Sequence, residues 1–295
     1  IDPDGPAPYL VDEFNGPNAA KASIRKPSDL FDQKPGTDVL LVGHAHARSP
    51  GQAKHVDVSL KMGPVAKVVR AHGMRAWTLG AMGGLAPGPA QPIVEPVPLL
   101  YELAWGGLDL SDPERPFGEP RNTVGRGAVR DARSLVDQPA AQIESPDHPI
   151  GGHHNVPAGF GAIHRHWQPR ASFAGTYGPR WMETKMPLLP DDFDDRFHVC
   201  VPEDQWSPAP LRGDEPIEVT GATPGGRRWA FALPRVHLGF TSFALGARTE
   251  HRTHLDTVLI DADAMRVELT WRAAIPLPRK YEMLEWVHVV HKRVV

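Results

Sequence analysis

The chain has 295 residues, 41% of them hydrophobic, which is enough to bury one large core or two modest ones and excludes wholesale disorder. Its 32 basic and 35 acidic residues leave a formal net charge of −3, so no bulk charge draws it to nucleic acid or to an anionic membrane. With 32 Pro and 28 Gly, long uninterrupted helices are disfavoured, because proline removes a backbone donor and fixes φ. Cys200 is the only cysteine, which excludes an intrachain disulfide and fits a reducing cytosol.

Residues 1 to 38 are rich in Pro, Gly and Asp and read as an extended lead-in without a basic-then-apolar secretion signal. The apolar run from Asp38 to Ala47 predicts a buried strand. His55 to Lys61 alternates, with Val56, Val58 and Leu60 on one face; Val65 to Ala71 and Arg75 to Leu79 follow as further short strands. Pro98 to Trp105 reads as a short helix ended by Gly106 and Gly107. Residues 108 to 160 are dense in Pro, Gly, Asp and Arg and read as long ordered loop, a setting that often carries function. Gly178 to Met186 predicts a second short helix. Strands return at 217–220, 229–233, 257–261, 266–272 and 285–290; in the fourth of these Val267, Leu269 and Trp271 face one way. No apolar run approaches the roughly 18 residues of a membrane span.

These elements predict a mainly β protein of antiparallel sheets, sandwich or barrel-like, with a few short helices and long ordered loops. No helix is long enough for repeated crossovers. The organisation is a single domain over 1–295, or two closely packed β lobes with a boundary near 108–160.

His44 and His46 stand two apart on a predicted strand and so point to one side, as do His164 and His166 if that segment is extended; either pair could chelate a metal. No His-Glu-x-x-His, second cysteine or spaced carboxylate set completes a metal pattern, and ordinary hydrogen-bonded histidines are the preferred reading. The Asp191–Asp195 run lacks the Gly and Glu of a calcium loop and reads as turn and cap chemistry. There is no Gly-x-Ser-x-Gly elbow. The remaining constellation is aromatic and basic: Trp105, Arg165, Trp167, Arg170, Tyr177, Trp181 and Trp206, the residue types that dominate protein–protein hot spots. Packing of these tryptophans beneath the loops is the alternative.

Several segments resemble, in order, the domain-of-unknown-function 2169 family. They include Ser23–Leu30, Lys34–Ala47, Val58–Gly63, Tyr101–Gly107 and Asn122–Gly127. The most specific stretch runs from Pro157 to Arg170 and on through Ala174–Tyr177, Trp181 and Pro187–Asp194; Asp256–Arg266 and Leu269–Arg272 close the set. The resemblance implies a cytoplasmic, non-catalytic adaptor or chaperone. Such a protein would bind a cognate toxic effector, near the effector's N-terminal region, and help load it onto a type VI secretion spike or spike-tip protein. It implies no cofactor, no nucleic-acid partner and no direct membrane insertion. A histidine-coordinated metal enzyme and a carbohydrate-binding β-module are the competing readings.

Overall fold

The computed structural model describes residues 9–31, 33–80, 84–152, 154–233, 235–244, 246–275 and 284–293; the rest of the predicted lead-in lies outside them. Three sheets dominate. The first has five antiparallel strands in the order Ile143–Glu144, Val65–His72, His55–Met62, Pro216–Thr220 and Trp229–Ala232. The second has four: Trp206–Ser207, Thr37–Val42, His254–Asp261 and Arg266–Arg272. The third sets Val236–Ala244 between Ala247–His251 and Leu284–Arg293. The architecture is mainly β, as the residue pattern predicts, and these three sheets are open, so the barrel-like alternative is set aside.

Residues 39–42 of the 38–47 run are consecutively apolar because their strand is covered on both faces. Val39 and Leu41 join Val58, Leu60, Val69, Val219, Val258 and Ile260 in the main core between the first two sheets. Leu40, one residue out of phase, packs on the opposite face with Ile24, Ala162, Cys200, Val201 and Leu259. The predicted strand is broken by Gly43, whose φ is +134°, and resumes as His44–Ala45. Among the described strands two pairings depart from the antiparallel expectation: Thr37–Val42 runs parallel to His254–Asp261, and Trp105–Gly106 runs parallel to Arg126–Gly127.

The predicted helix over 98–105 is corrected. Pro98 lies in a two-residue strand beside His44, Tyr101–Leu103 is a single 3-10 turn, and Trp105–Gly106 is extended. The cause is Asn122, whose Nδ2 donates to the carbonyls of Tyr101 at 2.8 Å and Trp105 at 2.9 Å. Its own carbonyl accepts the Gly107 amide at 2.9 Å. A side chain thus holds the carbonyls that a helix would have turned inward. The second predicted helix is present as Pro179–Thr184. Val236–Ala244 and Ala247–His251 pair antiparallel, two strands that the residue pattern does not predict.

A buried ionic clasp ties the lead-in to the second sheet. Lys34 Nζ donates to Asp38 Oδ2 and to Thr257 Oγ1, both at 2.7 Å, and the Cys200 amide also donates to Asp38 Oδ2. Beside it, Arg272 Nε donates to buried Asp256, while its other nitrogens donate to the carbonyls of Phe31 and Asp29. Burial works against the Lys34 charge; the groups around it, Asp38 first, more than offset that and hold the ammonium above its ordinary value.

At the far edge of the first sheet Glu144 accepts from His72 at 2.7 Å, from Arg75 at 2.9 Å and from the Ile150 amide at 3.2 Å. Burial works to raise its carboxyl, but His72 and Arg75 together hold it at about 2, against an ordinary value of 4.5. A depressed carboxyl contributes stability above its unfolded value, lost as pH falls toward the folded one. About 3 kcal/mol is involved, of which about 2 should be gone by about pH 3. Urea titrations at pH 6 and pH 3 check this: Glu144→Gln should shrink the acid-induced loss by about 2 kcal/mol. An unchanged pH slope in the variant would remove the argument.

Candidate functional site

The structure divides the seven aromatic and basic residues. Trp167 is fully buried, donates its indole N–H to Thr123 Oγ1 at 2.9 Å, and meets Tyr101 edge-on and His164 at 4.5 Å. Arg170 is also buried, donating to the carbonyls of Phe197 and Ile163. Both hold the core together and present no surface. Trp105 is half-buried against Trp77, and Trp206 is half-buried with its indole nitrogen inside the fold. Arg165 is exposed and pairs loosely with Asp12 at 3.5 Å. Of the seven, Tyr177 and Trp181 touch each other, at 4.8 Å between ring centroids, with Tyr177 exposed and Trp181 half-buried beneath it.

These two sit on a closed loop. At its neck the Thr176 amide and hydroxyl donate to Asp192 at 2.9 and 2.7 Å, and the Asp194 amide donates to the Phe173 carbonyl. These hydrogen bonds from Thr176 hold the Asp192 carboxyl below its usual range. Pro179 suits the first turn of the helix, where its missing N–H has no helical partner to lose. Beyond the helix, Trp181 Nε1 donates to the Leu188 carbonyl at 2.8 Å and folds the chain back, and Lys185 pairs with Asp191.

Held in this way, the loop presents Tyr177, Met182, Met186, Leu188 and Leu189, each between 47% and 69% exposed. A concentration of large apolar side chains in one short segment is the kind of surface that marks a protein contact. Met is well suited to it, since its unbranched chain adapts to different partner shapes. Residue type points to Tyr177 and Trp181 but not to Met182, Met186, Leu188 and Leu189. The readable signal was Pro187-Leu-Leu-Pro190: two leucines between prolines, with no strand or helix to bury them.

The histidine pairs behave differently. His44 Nδ1 meets Asp263 Oδ2 at 2.7 Å and His46 Nε2 approaches Asp263 Oδ1 at 3.6 Å, so both rings do turn to one side. His164 is buried, its Nε2 donating to the Ala22 carbonyl at 2.9 Å, and its ring lies 4.8 Å from that of His166. Burial pushes both of these imidazoles down. Among the described residues no group of three or more His, Cys, Asp or Glu could hold a metal ion. Cys200 is buried and its thiol is pushed up by that burial, a setting that favours the unreactive thiol form. No helix among the described residues is long and apolar enough to cross a membrane.

A second feature is a notch of about 350 Å³ where the Tyr101–Gly107 and Asn122–Gly127 segments cross. No curated protein and no solved structure matches the chain. Residues 2–272 match the model of a family described as an uncharacterized protein conserved in bacteria, and the chain belongs to that family, domain of unknown function 2169.

Proposed function

We propose that this protein works by contact: it is a non-catalytic adaptor that holds a cognate effector and hands it to a type VI secretion spike or spike-tip protein. The resemblance described above supports the adaptor role, and one observation carries the choice of surface. That observation is the stapled loop with Tyr177, Met182, Met186, Leu188 and Leu189 facing solvent. Covering apolar surface is worth roughly 2.5 kcal/mol per 100 Å² before entropy costs, so a few such side chains supply the centre of an interface. The reading places the protein in the cytoplasm, where an unsecreted effector would be met.

The test is co-expression with the effector encoded beside its gene. The effector should co-elute with the intact adaptor, and a Met182→Asp/Leu188→Asp variant should bind it about tenfold or more weakly. Both positions are exposed, so the variant's melting temperature should stay unchanged. Undiminished co-elution would remove the loop from the interface. Effector levels and export that are unaffected by deleting the adaptor would remove the adaptor role itself.

A further inference from the structure

The notch lies away from the main core, over the small cluster of Trp77, Ala140, Ala141 and Ile150. Its walls include Trp77, Leu108, Val129, Leu135 and Pro139, and Arg126 is the charged residue among them. The rim includes Gly106, Gly107, Gly125 and Gly127. An ideal Cβ on Gly127 would sit 2.4 Å from the Trp105 ring and 2.8 Å from that of Trp77, so glycine is what lets both rings pack against this backbone.

Arg126 stands apart from the other interior arginines. Arg75 reaches Glu144, Arg272 reaches Asp256, and Arg170 donates to two carbonyls. Arg126 is half-buried, and among the described residues its one side-chain hydrogen bond is to the Ala140 carbonyl at 3.5 Å, the limit of such a contact. Among the described residues no carboxylate lies within ion-pair distance of it. Glu102, whose charge it feels, is engaged by the Ser23 amide and hydroxyl, both at 2.7 Å. A guanidinium withdrawn from water without an anion is costly, and an incoming carboxylate would restore two charge-assisted bonds.

We propose that this notch binds a monocarboxylate carried on an apolar group, with the carboxylate on Arg126 and the apolar part against Trp77, Val129 and Leu135. One guanidinium among apolar walls suits a monoanion better than a phosphate, which needs several donors. The volume is in the usual range for small-ligand sites. A free aromatic acid and the carboxy-terminal residue of a polypeptide share this chemistry. The site is separate from the Tyr177–Leu189 loop and does not rest on the adaptor reading.

Calorimetric titration of the full chain tests it with three probes: 3-phenylpropanoate, its amide, and N-acetyl-glycyl-phenylalanine with a free carboxylate. Saturable binding of either acid, weakened about tenfold or more by amidation and by Arg126→Gln, is the expected result. Should Arg126→Gln not fold, Val129→Trp fills the notch and should abolish binding with Arg126 intact. Tighter binding of the peptide than of the free acid assigns the site to polypeptide termini; equal binding assigns it to small acids. Absence of any carboxylate-dependent binding, or binding indifferent to both substitutions, overturns the proposal.

Discussion

Lys34→Met should destabilise the fold by about 3–5 kcal/mol, the cost of leaving one partner of a buried pair uncompensated. Lys34 and Asp38 are both 1% exposed or less, and among the described residues the ammonium is the only charged donor on that carboxylate. Asp38 Oδ1 already has no hydrogen-bond partner among the described residues. Without the lysine, Oδ2 would retain the Cys200 amide alone. A double Lys34→Met/Asp38→Asn variant keeps an acceptor for that amide and removes the orphaned charge, so it should be more stable than the single variant. A pH signature accompanies this. Burial holds the Asp38 carboxyl above its ordinary value even with Lys34 opposing it, and in the variant, with no ammonium there, it should rise further. A carboxyl raised in the folded state favours folding as it becomes protonated, so the deficit relative to the unaltered chain should narrow from about pH 7 to about pH 4. Urea unfolding of the three proteins at both pH values decides it. A single-variant loss below about 1 kcal/mol, or a double variant worse than the single, would show that the clasp is not what holds the lead-in down.

Much of the β architecture is legible because burial writes itself into residue order. His55–Met62 alternates and is covered mainly on one side, while Thr37–Val42 carries the unbroken apolar run 39–42 and is covered on both. What the order of residues does not carry is which distant strand lies alongside. Nothing in Thr37–Val42 announces that Thr257–Asp261 will run parallel to it, since both would pack equally well in an antiparallel sheet. The Val236–Ala244 strand escaped for a local reason: Gly239, Thr241 and Ser242 interrupt its apolar pattern, and it is defined by pairing on both sides.

The candidate docking loop was half legible. Trp and Tyr stand out by type, and that criterion alone joined Trp167 to Trp181. Yet Trp167 lies in the core and Trp181 closes a surface loop. Composition cannot separate the two, because an aromatic ring serves a core and an interface by the same physics. The distinguishing information is the neck formed by Thr176 and Asp192, which turns the intervening segment outward.

Gly106→Ala should cost about 4 kcal/mol or more, or prevent accumulation of folded protein, because three penalties coincide. The backbone there has φ of +152°, and an added Cβ would lie 2.2 Å from the Asn122 carbonyl oxygen. Relief requires the Asn122 segment to withdraw, which breaks its acceptance of the Gly107 amide and its donation to Tyr101 and Trp105. Those groups would be left buried without partners, at about 1–3 kcal/mol each. Two comparisons isolate the cause. Gly51→Ala, also at positive φ (+80°) but with open space around it, should cost about 1 kcal/mol from conformation alone. Adding Asn122→Ala to Gly106→Ala should not rescue it, because the nearest overlap is with the main-chain oxygen of residue 122, which alanine retains. If Gly106→Ala proves as mild as Gly51→Ala by thermal and urea unfolding, the two segments do not cross as closely as described. The separation of Trp-Gly-Gly from Asn-Thr-Val-Gly-Arg-Gly in the chain would then have no steric reason to be read as one unit. If it proves severe, two short glycine motifs far apart in sequence are one structural device. That device shapes the same notch that Arg126 lines.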